Sequence, residues 1–490
     1  MGRICSKVSD RAVCSVMGIF TETLSTELKR GTLTLILKDV SGIIIPKAWE
    51  SGGGKLVTEN TSAAKFPDQT LDAAPKTEEF SDDHVPKPSR VWVALLIMAT
   101  IGVYCGWFGP LQILLPAQAD EIAQLMGNAN KETILATVAG IGAAASMIAN
   151  PTWGILSDRA YNRRGSRVPV AIAGMVIGVI GLVWLSFSIT RTNMILGWLL
   201  VQIGLNGPFA VFIAFVADRV PERMRGTVGG LFGMAQMAGA VLGTLLAVLL
   251  NEERVGYIAV AIAVPLLVIP ITVLHNKGKD LRDYDPNFAK SPEDAGFKLE
   301  NFRIDSSFAG AFLMRFFMNL VSALMLLYLF YFIQDRFTKD GAGDLVLILT
   351  VIYVLVSAIG AAGGGVLSDK MQKRKLWVVL GGATMAVGAV MFAYAHSYPL
   401  LYGAVMVFAI GWGFYLAVDV GIITSALPDK KSAATMLGIA NLASASPQVL
   451  APVMAAPIVL HLGGYTALYI VTAVLGLIAL IFLPMVKKVR

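Results

Sequence analysis

The sequence predicts an all-α polytopic membrane protein with twelve transmembrane helices in two pseudo-symmetric six-helix bundles. Three observations lead to this prediction. The 490 residues are 56% hydrophobic and only 15% charged, whereas soluble proteins carry roughly 25% charged residues. From residue 91 onward, apolar runs of membrane-spanning length follow one another, and a short motif recurs at fixed spacing. So large an apolar fraction requires lipid as the solvent, which excludes a soluble enzyme, a secreted disulfide scaffold and a disordered chain.

Residues 1–89 differ from the rest of the chain. Their apolar stretches are short and interrupted by charges, far below the roughly 20 residues that cross a bilayer. The part from 58 to 88 is rich in charged residues, Pro, Ser and Thr, which is typical of a solvated segment. We expect either a disordered cytoplasmic N-terminal tail or a spurious extension, and the sequence leaves both open.

Twelve apolar runs follow, each of about 20 residues or more with almost no charge, so each predicts a transmembrane helix. Membrane-spanning strands would alternate apolar and polar residues instead. A charged connection at 276–307 separates an N-terminal bundle, 90–275, from a C-terminal bundle, 308–490. Predicted helices 1 to 12 span about 91–115, 133–156, 168–188, 194–217, 226–250, 255–275, 308–333, 345–367, 376–395, 400–427, 437–460 and 465–486.

The connections differ in charge between the two sides of the membrane. Twenty-two Lys and Arg residues lie after the even-numbered helices and in the C-terminal tail, against five after the odd-numbered helices. The positive-inside rule then predicts that both termini and the central loop are cytoplasmic. We expect an integral protein of a plasma or inner membrane.

An internal repeat relates the two predicted bundles. Ser146–Asp158 reads SMIANPTWGILSD and Ser357–Asp369 reads SAIGAAGGGVLSD, with six of thirteen residues identical at an offset of 211. The same offset relates Asp218, after helix 4, to Asp429, after helix 10. Duplicated units of this kind are typical of secondary transporters, which bind their solute between the halves.

The repeated loops resemble the signature loop of the major facilitator superfamily, and the resemblance covers residues 91–490. The residues called the latch motif here are Gly154, Asp158, Arg159, Arg163 and Arg164 in the first copy and Gly365, Asp369 and Lys370 in the second. Arg167 follows the first copy and Lys373 and Arg374 follow the second, and they belong to the same resemblance. The resemblance implies a six-plus-six helix bundle that transports a solute by alternating access. The arginine run with Pro169 is also similar to the loop of the sucrose and glycoside–cation symporter branches.

The residues of the latch motif have a chemistry of their own. Gly154 and Gly365 permit close approach of helices. Asp158 and Asp369 lie at the predicted cytoplasmic ends of helices 2 and 8, where a carboxylate can accept from a helix N-terminus and pair with Arg or Lys. Such contacts would form in one state of a rocking bundle and break in the other. The alternative is that the arginines only fix the topology.

Two departures from the family pattern limit what the resemblance implies. Many members have an arginine in helix 4, but the run 199–204 has none, so proton coupling through that position is not expected. Drug antiporters carry a Gly-Pro break in helix 5, where this chain has no proline. The glycines of that helix, which favour close packing and count against drug efflux, are Gly229, Gly230, Gly233, Gly239 and Gly243.

Two ionisable residues lie well inside the apolar runs, Arg315 in helix 7 and Asp419 in helix 10. A charge at the bilayer centre costs at least about 2.5–3.5 kcal/mol, so each of the two residues is expected to have a functional or structural role. At about 1.5 Å per residue they lie about 10 and 12 Å from the cytoplasmic ends of their helices. The family lines its cavity with helices 1, 4, 7 and 10, which predicts an Arg–Asp pair there. The alternative is an arginine that snorkels to the interface and an aspartate that holds helices together.

Polar and aromatic residues at helical spacing accompany the two charges. The candidates are Asn319 on helix 7, Trp412 and Tyr415 on helix 10, Gln202 and Asn206 on helix 4, and Tyr104 and Trp107 on helix 1. Aromatic rings beside carboxylate, guanidinium and amide groups suit a polar solute with apolar faces, such as a sugar or glycoside. Simple packing of the rings within the bundle is the alternative.

The sequence therefore predicts a secondary active transporter of a small polar solute, coupled to a proton or another cation and favouring uptake. An efflux antiporter for amphipathic compounds and a non-transporting sensor stay open as alternatives. An enzyme is not expected, because paired carboxylates, a histidine cluster, a nucleophile with its base and a P-loop motif are all missing from the sequence. The expected partners are the solute, the coupling ion and the lipid bilayer, with no cofactor, no metal and no nucleic acid, and the expected state is a monomer.

Overall fold

The computed structural model describes residues 87–127, 129–249, 252–275, 305–426 and 433–487. Within these ranges the chain forms twelve helices of membrane-spanning length and no strand, which confirms the predicted fold class. The predicted tail, apart from residues 87–89, and most of the predicted central loop lie outside the described residues.

The helices are α1 (Arg90–Leu125), α2 (Lys131–Arg164), α3 (Val168–Ser186), α4 (Arg191–Arg219), α5 (Glu222–Leu249), α6 (Glu253–His275), α7 (Ser306–Arg336), α8 (Ala342–Met371), α9 (Arg374–Ala393), α10 (Tyr398–Ser425), α11 (Ala433–His461) and α12 (Gly464–Ile481). A short 3-10 turn, Leu483–Met485, follows α12. Several helices extend past the apolar runs because their polar ends continue the helix beyond the hydrocarbon core.

Short polar signals set where several helices begin and end. The Ser89 hydroxyl accepts a hydrogen bond from the Trp92 backbone N–H at 3.2 Å, which caps α1. Asp305 caps α7 in the same way through the N–H of Phe308, at 2.8 Å. At its C-terminus, α2 stops at Gly165, whose φ of 69° is left-handed and suits glycine.

The two bundles share one packing pattern, which supports the internal repeat. In the first, α3 packs on α4, α2 on α4, α1 on α5, and α6 on both α1 and α3. In the second, α9 packs on α10, α8 on α10, α7 on α11, and α12 on both α7 and α9. The bundles meet through α2 against α11 and through α5 against α8, and exchange of the two halves interconverts these two contacts.

The equivalent helices α1 and α7 are both interrupted. In α1 the hydrogen bonding widens to a π turn at Pro110–Leu114, and in α7 the helix breaks at Tyr328. We call the membrane face where α2 ends and α3 begins the arginine-rich face, and the face where α1 ends and α2 begins the opposite face. Each interruption divides its helix into a long segment that begins at the arginine-rich face and a short segment that reaches the opposite face.

Glycines permit the tightest helix contacts. On α3, a Cβ built at Gly174 would lie 2.7 Å from the carbonyl oxygen of Gly204 on α4, so the two backbones are in direct contact. The predicted close packing of α5 is correct at Gly243, where a Cβ would lie 2.7 Å from the backbone of Gly109 on α1, and likewise at Gly239. It is wrong at the glycines near the start of the helix, which face open space: Gly229, Gly230 and Gly233.

We expect Gly204→Ala to destabilise the N-terminal bundle by about 1–3 kcal/mol, because the new methyl group would run into the backbone of Gly178. Gly233→Ala is the matched control, since a Cβ there meets no atom within 4 Å. Thermal unfolding of both purified variants in one detergent measures the difference. Equal melting temperatures would contradict the described contact.

Candidate functional site

A buried ion pair lies in the C-terminal bundle. The Arg315 guanidinium on α7 and the Asp419 carboxylate on α10 are 3.1 Å apart, between Nη1 and Oδ2, and the side chains are 15% and 9% exposed. The pair that the sequence predicted from equal depth is present. A paired arginine and aspartate avoid the cost that each would have alone in a lipid-surrounded bundle.

Two further side chains complete a chain of polar contacts around this pair. The Tyr415 hydroxyl donates to Asp419 Oδ1 at 2.6 Å, and Arg315 Nε donates to the Ser444 hydroxyl on α11 at 2.8 Å. The four side chains therefore join α7, α10 and α11. Sequence reasoning does not find Ser444, because a serine in an apolar helix bonds its own preceding turn as readily as a neighbouring helix.

The other candidates of this bundle make local contacts. The Asn319 amide donates to the backbone oxygen of Arg315 at 2.8 Å, one turn earlier on the same helix. The Trp412 ring packs against the Tyr415 ring, with centroids 5.4 Å apart. Both residues therefore border the ion pair without bonding to its charged atoms in the described contacts.

In the N-terminal bundle, Asn206 links two helices. Its amide nitrogen on α4 donates to the Ser146 hydroxyl of α2 at 2.8 Å, and its oxygen accepts from Asn150 of α2 at 3.1 Å. The same nitrogen also donates to the backbone oxygen of Gln202 at 2.7 Å. Asn206 is only 2% exposed, so its amide works as a helix–helix contact in the described state, together with the amide of Asn150.

The aromatic candidates of α1 form a cluster with α4. Tyr104 and Trp107 meet edge to face at 5.6 Å, and the Phe209 ring of α4 lies 5.6 Å from Tyr104 and 5.5 Å from Trp107. The buried indole nitrogen of Trp107 has no hydrogen-bond partner among the described residues. The rings pack against one another in the described state, and Phe209 belongs to the helix that also carries Gln202 and Asn206.

The ion-pair centre of the latch motif at the arginine-rich face is Arg167. Its guanidinium bonds Asp158, Ser157 (3.1 Å) and, from Nε, Asp218 at 2.6 Å. Burial alone would lower the pKa of Arg167, but the hydrogen bonds and charges of Asp218 and Asp158 outweigh it and raise the pKa above its ordinary value.

The other arginines of this loop are exposed: Arg159, Arg163 and Arg164. Their role in the latch stays a prediction, and the described contacts with both carboxylates are made by Arg167. The sequence could not single out Arg167 among the four arginines of this loop, because the left-handed turn at Gly165 redirects the chain between Arg164 and Arg167.

The glycines of the latch motif do not mediate close helix contacts in the described state, and their role in the other state stays a prediction. A Cβ at Gly154 or at Gly365 would meet no atom within 4 Å. In the second copy, Lys370 is exposed and the side chain of Asp369 lies outside the described residues. Arg374 of α9 reaches α10 instead, where it donates to the Ser425 hydroxyl at 3.4 Å.

A polar cluster that the sequence did not predict ties the two bundles together at the opposite face. We call Lys131, Glu132, Asp335 and Tyr465 the clasp. Lys131 Nζ at the start of α2 lies 2.8 Å from Asp335 Oδ1 at the end of α7. The Tyr465 hydroxyl of α12 lies 2.8 Å from Asp335 Oδ2 and 3.2 Å from Glu132 Oε1.

Buried hydrogen bonds between the bundles support the clasp. The Tyr328 hydroxyl donates to the backbone oxygen of Glu132 at 2.8 Å, and the Tyr331 hydroxyl donates to that of Pro116 at 2.9 Å. Deeper, the Thr350 hydroxyl of α8 donates to Gln112 in the π turn at 3.2 Å. The bundles are therefore firmly joined at the opposite face.

The family comparison agrees with this architecture. The family model of the Major Facilitator Superfamily matches residues 96–452 and 308–490. A comparison with curated protein sequences gave no match.

Solved transporter structures share the fold at low identity. The nucleoside transporter NupG is 13% identical, with a TM-score of 0.61 and coverage of 81% of this chain and 98% of that chain. A D-xylose–proton symporter is 15% identical, with a TM-score of 0.62 and coverage of 82% and 98%. A bacterial homolog of the human lysosomal transporter Spinster is 16% identical, with a TM-score of 0.60 and coverage of 82% and 98%. Identities this low establish the fold alone.

We expect Arg167→Ala to destabilise the N-terminal bundle by about 1.5–3 kcal/mol, because it removes the nearly buried guanidinium that joins Asp158 of α2 to Asp218 of α4. Arg163→Ala, an exposed change in the same loop, is the control and should leave stability within about 0.5 kcal/mol. Thermal unfolding of the purified variants measures both. A melting temperature of Arg167→Ala equal to that of Arg163→Ala would contradict the assigned contacts.

Proposed function

The chain belongs to the major facilitator superfamily of membrane transporters, and on that premise we propose that it moves a small polar solute, sugar- or glycoside-like, coupled to a proton or another cation. The observation that carries the proposal is the buried Arg315–Asp419 pair, held between three helices of the C-terminal bundle. A charge pair that only joined helices could be replaced by apolar packing at little or no cost in stability. The presence of the Arg315–Asp419 pair among membrane-spanning helices therefore favours a functional role.

Asp419 is the proposed binding group for the coupling ion. A carboxylate beside a guanidinium resists protonation and cation capture, and separation from the guanidinium removes that resistance. If the pair opens as the bundle rocks, the carboxylate has one affinity for the ion in each state. Coupling requires such a difference, because a ligand shifts a conformational equilibrium only by its differential affinity.

Alternating access is proposed to use the contacts at the two membrane faces. The clasp joins the bundles at the opposite face, while Gly154 and Gly365 face open space near the arginine-rich face. The excess of Lys and Arg supports a cytoplasmic location for the arginine-rich face and for both termini. The described state is then closed toward the exterior and open toward the cytoplasm. In the other state, the glycines would allow α2 and α8 to approach the facing bundle.

The solute class rests on the polar and aromatic candidates of both bundles. The rings of Tyr104, Trp107 and Trp412 and the amides of Gln202 and Asn319, on α1, α4, α7 and α10, are the residue types that suit ring-shaped solutes with polar edges. Two structural relatives, a D-xylose–proton symporter and a nucleoside transporter, are consistent with the same class. We further propose a monomer in a plasma or inner membrane, working in the direction of uptake.

A stabilisation screen tests the solute class. Purified protein is heated with sugars, glycosides, nucleosides, peptides or cationic drugs, and a bound solute raises the melting temperature by mass action. Each hit is then measured as flux into vesicles under an imposed proton or sodium gradient. Stabilisation by drugs alone would favour efflux, and binding without any flux would favour a sensor.

We expect Asp419→Asn to abolish gradient-driven accumulation while leaving exchange of solute between two loaded sides, because only the ion-binding group is lost. Arg315→Ala should reduce transport more than the double change Arg315→Ala with Asp419→Asn does, since the single change leaves a buried carboxylate unpaired. Vesicle transport measures both. Full accumulation by Asp419→Asn would end the coupling proposal, and additive effects would end the proposed pairing role.

We expect Asp335→Asn to shift the equilibrium toward the outward-open state by about twofold to fivefold, because a partly exposed ion pair contributes about 0.5–1 kcal/mol. Distances between spin labels across each membrane face measure the shift. Lys339→Ala, an exposed change near the clasp, is the control. Reversal of both charges, Lys131→Asp with Asp335→Lys, should restore the distribution, and an unchanged distribution in Asp335→Asn would contradict the role of the clasp.

A further inference from the structure

The Arg315 guanidinium divides its hydrogen bonds between two helices. Nη1 contacts Asp419 Oδ2 on α10, whereas Nε donates to Ser444 on α11. A free guanidinium and carboxylate favour a bidentate contact, with two parallel N–H groups on the two oxygens. Here Oδ1 of Asp419 accepts from the Tyr415 hydroxyl, and the edge of the guanidinium that carries Nε and Nη2 is held by the contact from Nε to Ser444.

Ser444 lies on the helix that connects the ion pair to the other bundle. α11 packs on α7 within its own bundle and on α2 of the N-terminal bundle. Beyond Ser444 the helix contains Pro447, Pro452 and Pro457. Each proline removes a backbone donor and weakens the helix locally. A change in the contact between α2 and α11 can therefore move Ser444 relative to α7.

We propose that Ser444 is a positioning residue that keeps the Arg315–Asp419 contact single, so that the pair is weak enough to open during transport. When α11 moves, Nε loses its contact with Ser444, and the guanidinium turns its parallel Nε and Nη2 N–H groups toward the carboxylate. Movement between the bundles thus sets how tightly Arg315 competes with the coupling ion for Asp419. This inference rests on the proposed role of Asp419 in coupling.

Few ionisable groups face Asp419 from the elements packed around it. Arg315 of α7 and Tyr415 of α10 itself are the groups that act on it in the described residues. From α9, Arg374 reaches α10 at Gly421 and Ser425, nearer the arginine-rich face. Ser444 carries no charge, so its effect on ion binding must act through the orientation of Arg315.

The test uses the ions themselves as probes and needs no solute. The melting temperature of the purified full-length protein is recorded against pH, and against sodium concentration at constant ionic strength. The midpoint of the response gives the concentration of the coupling ion needed to occupy its site. The variants are Ser444→Ala and Ser444→Thr, with Ser446→Ala as the matched control. Ser446 lies on the same helix and donates to the backbone oxygen of Leu442.

We expect Ser444→Ala to raise the midpoint concentration of the coupling ion about tenfold, because one additional charge-assisted contact strengthens the Arg–Asp pair by roughly that factor. Ser444→Thr keeps the hydroxyl and should match the wild type, as should Ser446→Ala. A midpoint in Ser444→Ala equal to that of Ser446→Ala overturns the inference. A lower midpoint also overturns it, because Ser444 would then strengthen the pair.

Asp419→Asn distinguishes failure of this inference from failure of the proposed function. If Asp419→Asn keeps the ion dependence of the wild type, Asp419 is not the coupling group and both proposals fall. If Asp419→Asn loses that dependence while Ser444→Ala behaves like Ser446→Ala, the coupling role stands and only the role of Ser444 falls. If Ser444→Ala lowers the melting temperature at every ion concentration without shifting the midpoint, Ser444 has a purely structural role, and the inference is likewise overturned.

Discussion

An ionised side chain among lipid-embedded helices is stable only beside an opposite charge, and this requirement organises the C-terminal bundle. Arg315 and Asp419 neutralise each other, and Ser444 and Tyr415 each add one hydrogen bond to the pair. Because these side chains come from α7, α10 and α11, three helices must keep their relative depth and rotation. Any motion of one of them changes the hydrogen bonding of a charge, which is the kind of energetic difference that a transport cycle can use.

The duplication preserves packing while letting polar chemistry diverge. Equivalent helices pack on equivalent neighbours in both bundles. The polar groups differ: amides of Asn150 and Asn206 join α2 and α4, whereas a full charge pair joins α7 and α10. At the arginine-rich face, Arg167 has two carboxylate partners, while Arg374 in the second bundle reaches a hydroxyl and a backbone oxygen. The close fit of small residues constrains the shape of the helix–helix contacts. It does not constrain which polar groups lie between the helices.

Sequence periodicity was sufficient to predict the helices. The depth of each charge along its helix was sufficient to predict the ion pair. A fixed rise per residue is enough to place Arg315 and Asp419 at matching levels of their helices. The same reasoning could not select Arg167, because a left-handed glycine turn precedes it. It could not find the clasp either, since Lys131 and Asp335 lie 204 positions apart at helix ends, where charges are expected for topology alone. Gly154 shows a third limit, because a glycine that permits close packing in one state can face open space in another.

The π turn of α1 has a consequence for how this helix tolerates change. A π turn accommodates one residue more than regular α-helical spacing, so the segment after Leu114 is rotated by about 100° relative to an uninterrupted helix. That rotation aims Gln118 at the backbone oxygens of Leu185 and Ser188 and at the Tyr257 hydroxyl. The rotation of the short segment of α1 about the helix axis is therefore set by the π turn. A substitution outside this turn leaves the rotation of α1 unchanged, whereas loss of a single residue at Pro110–Leu114 would turn every later side chain to a different neighbour.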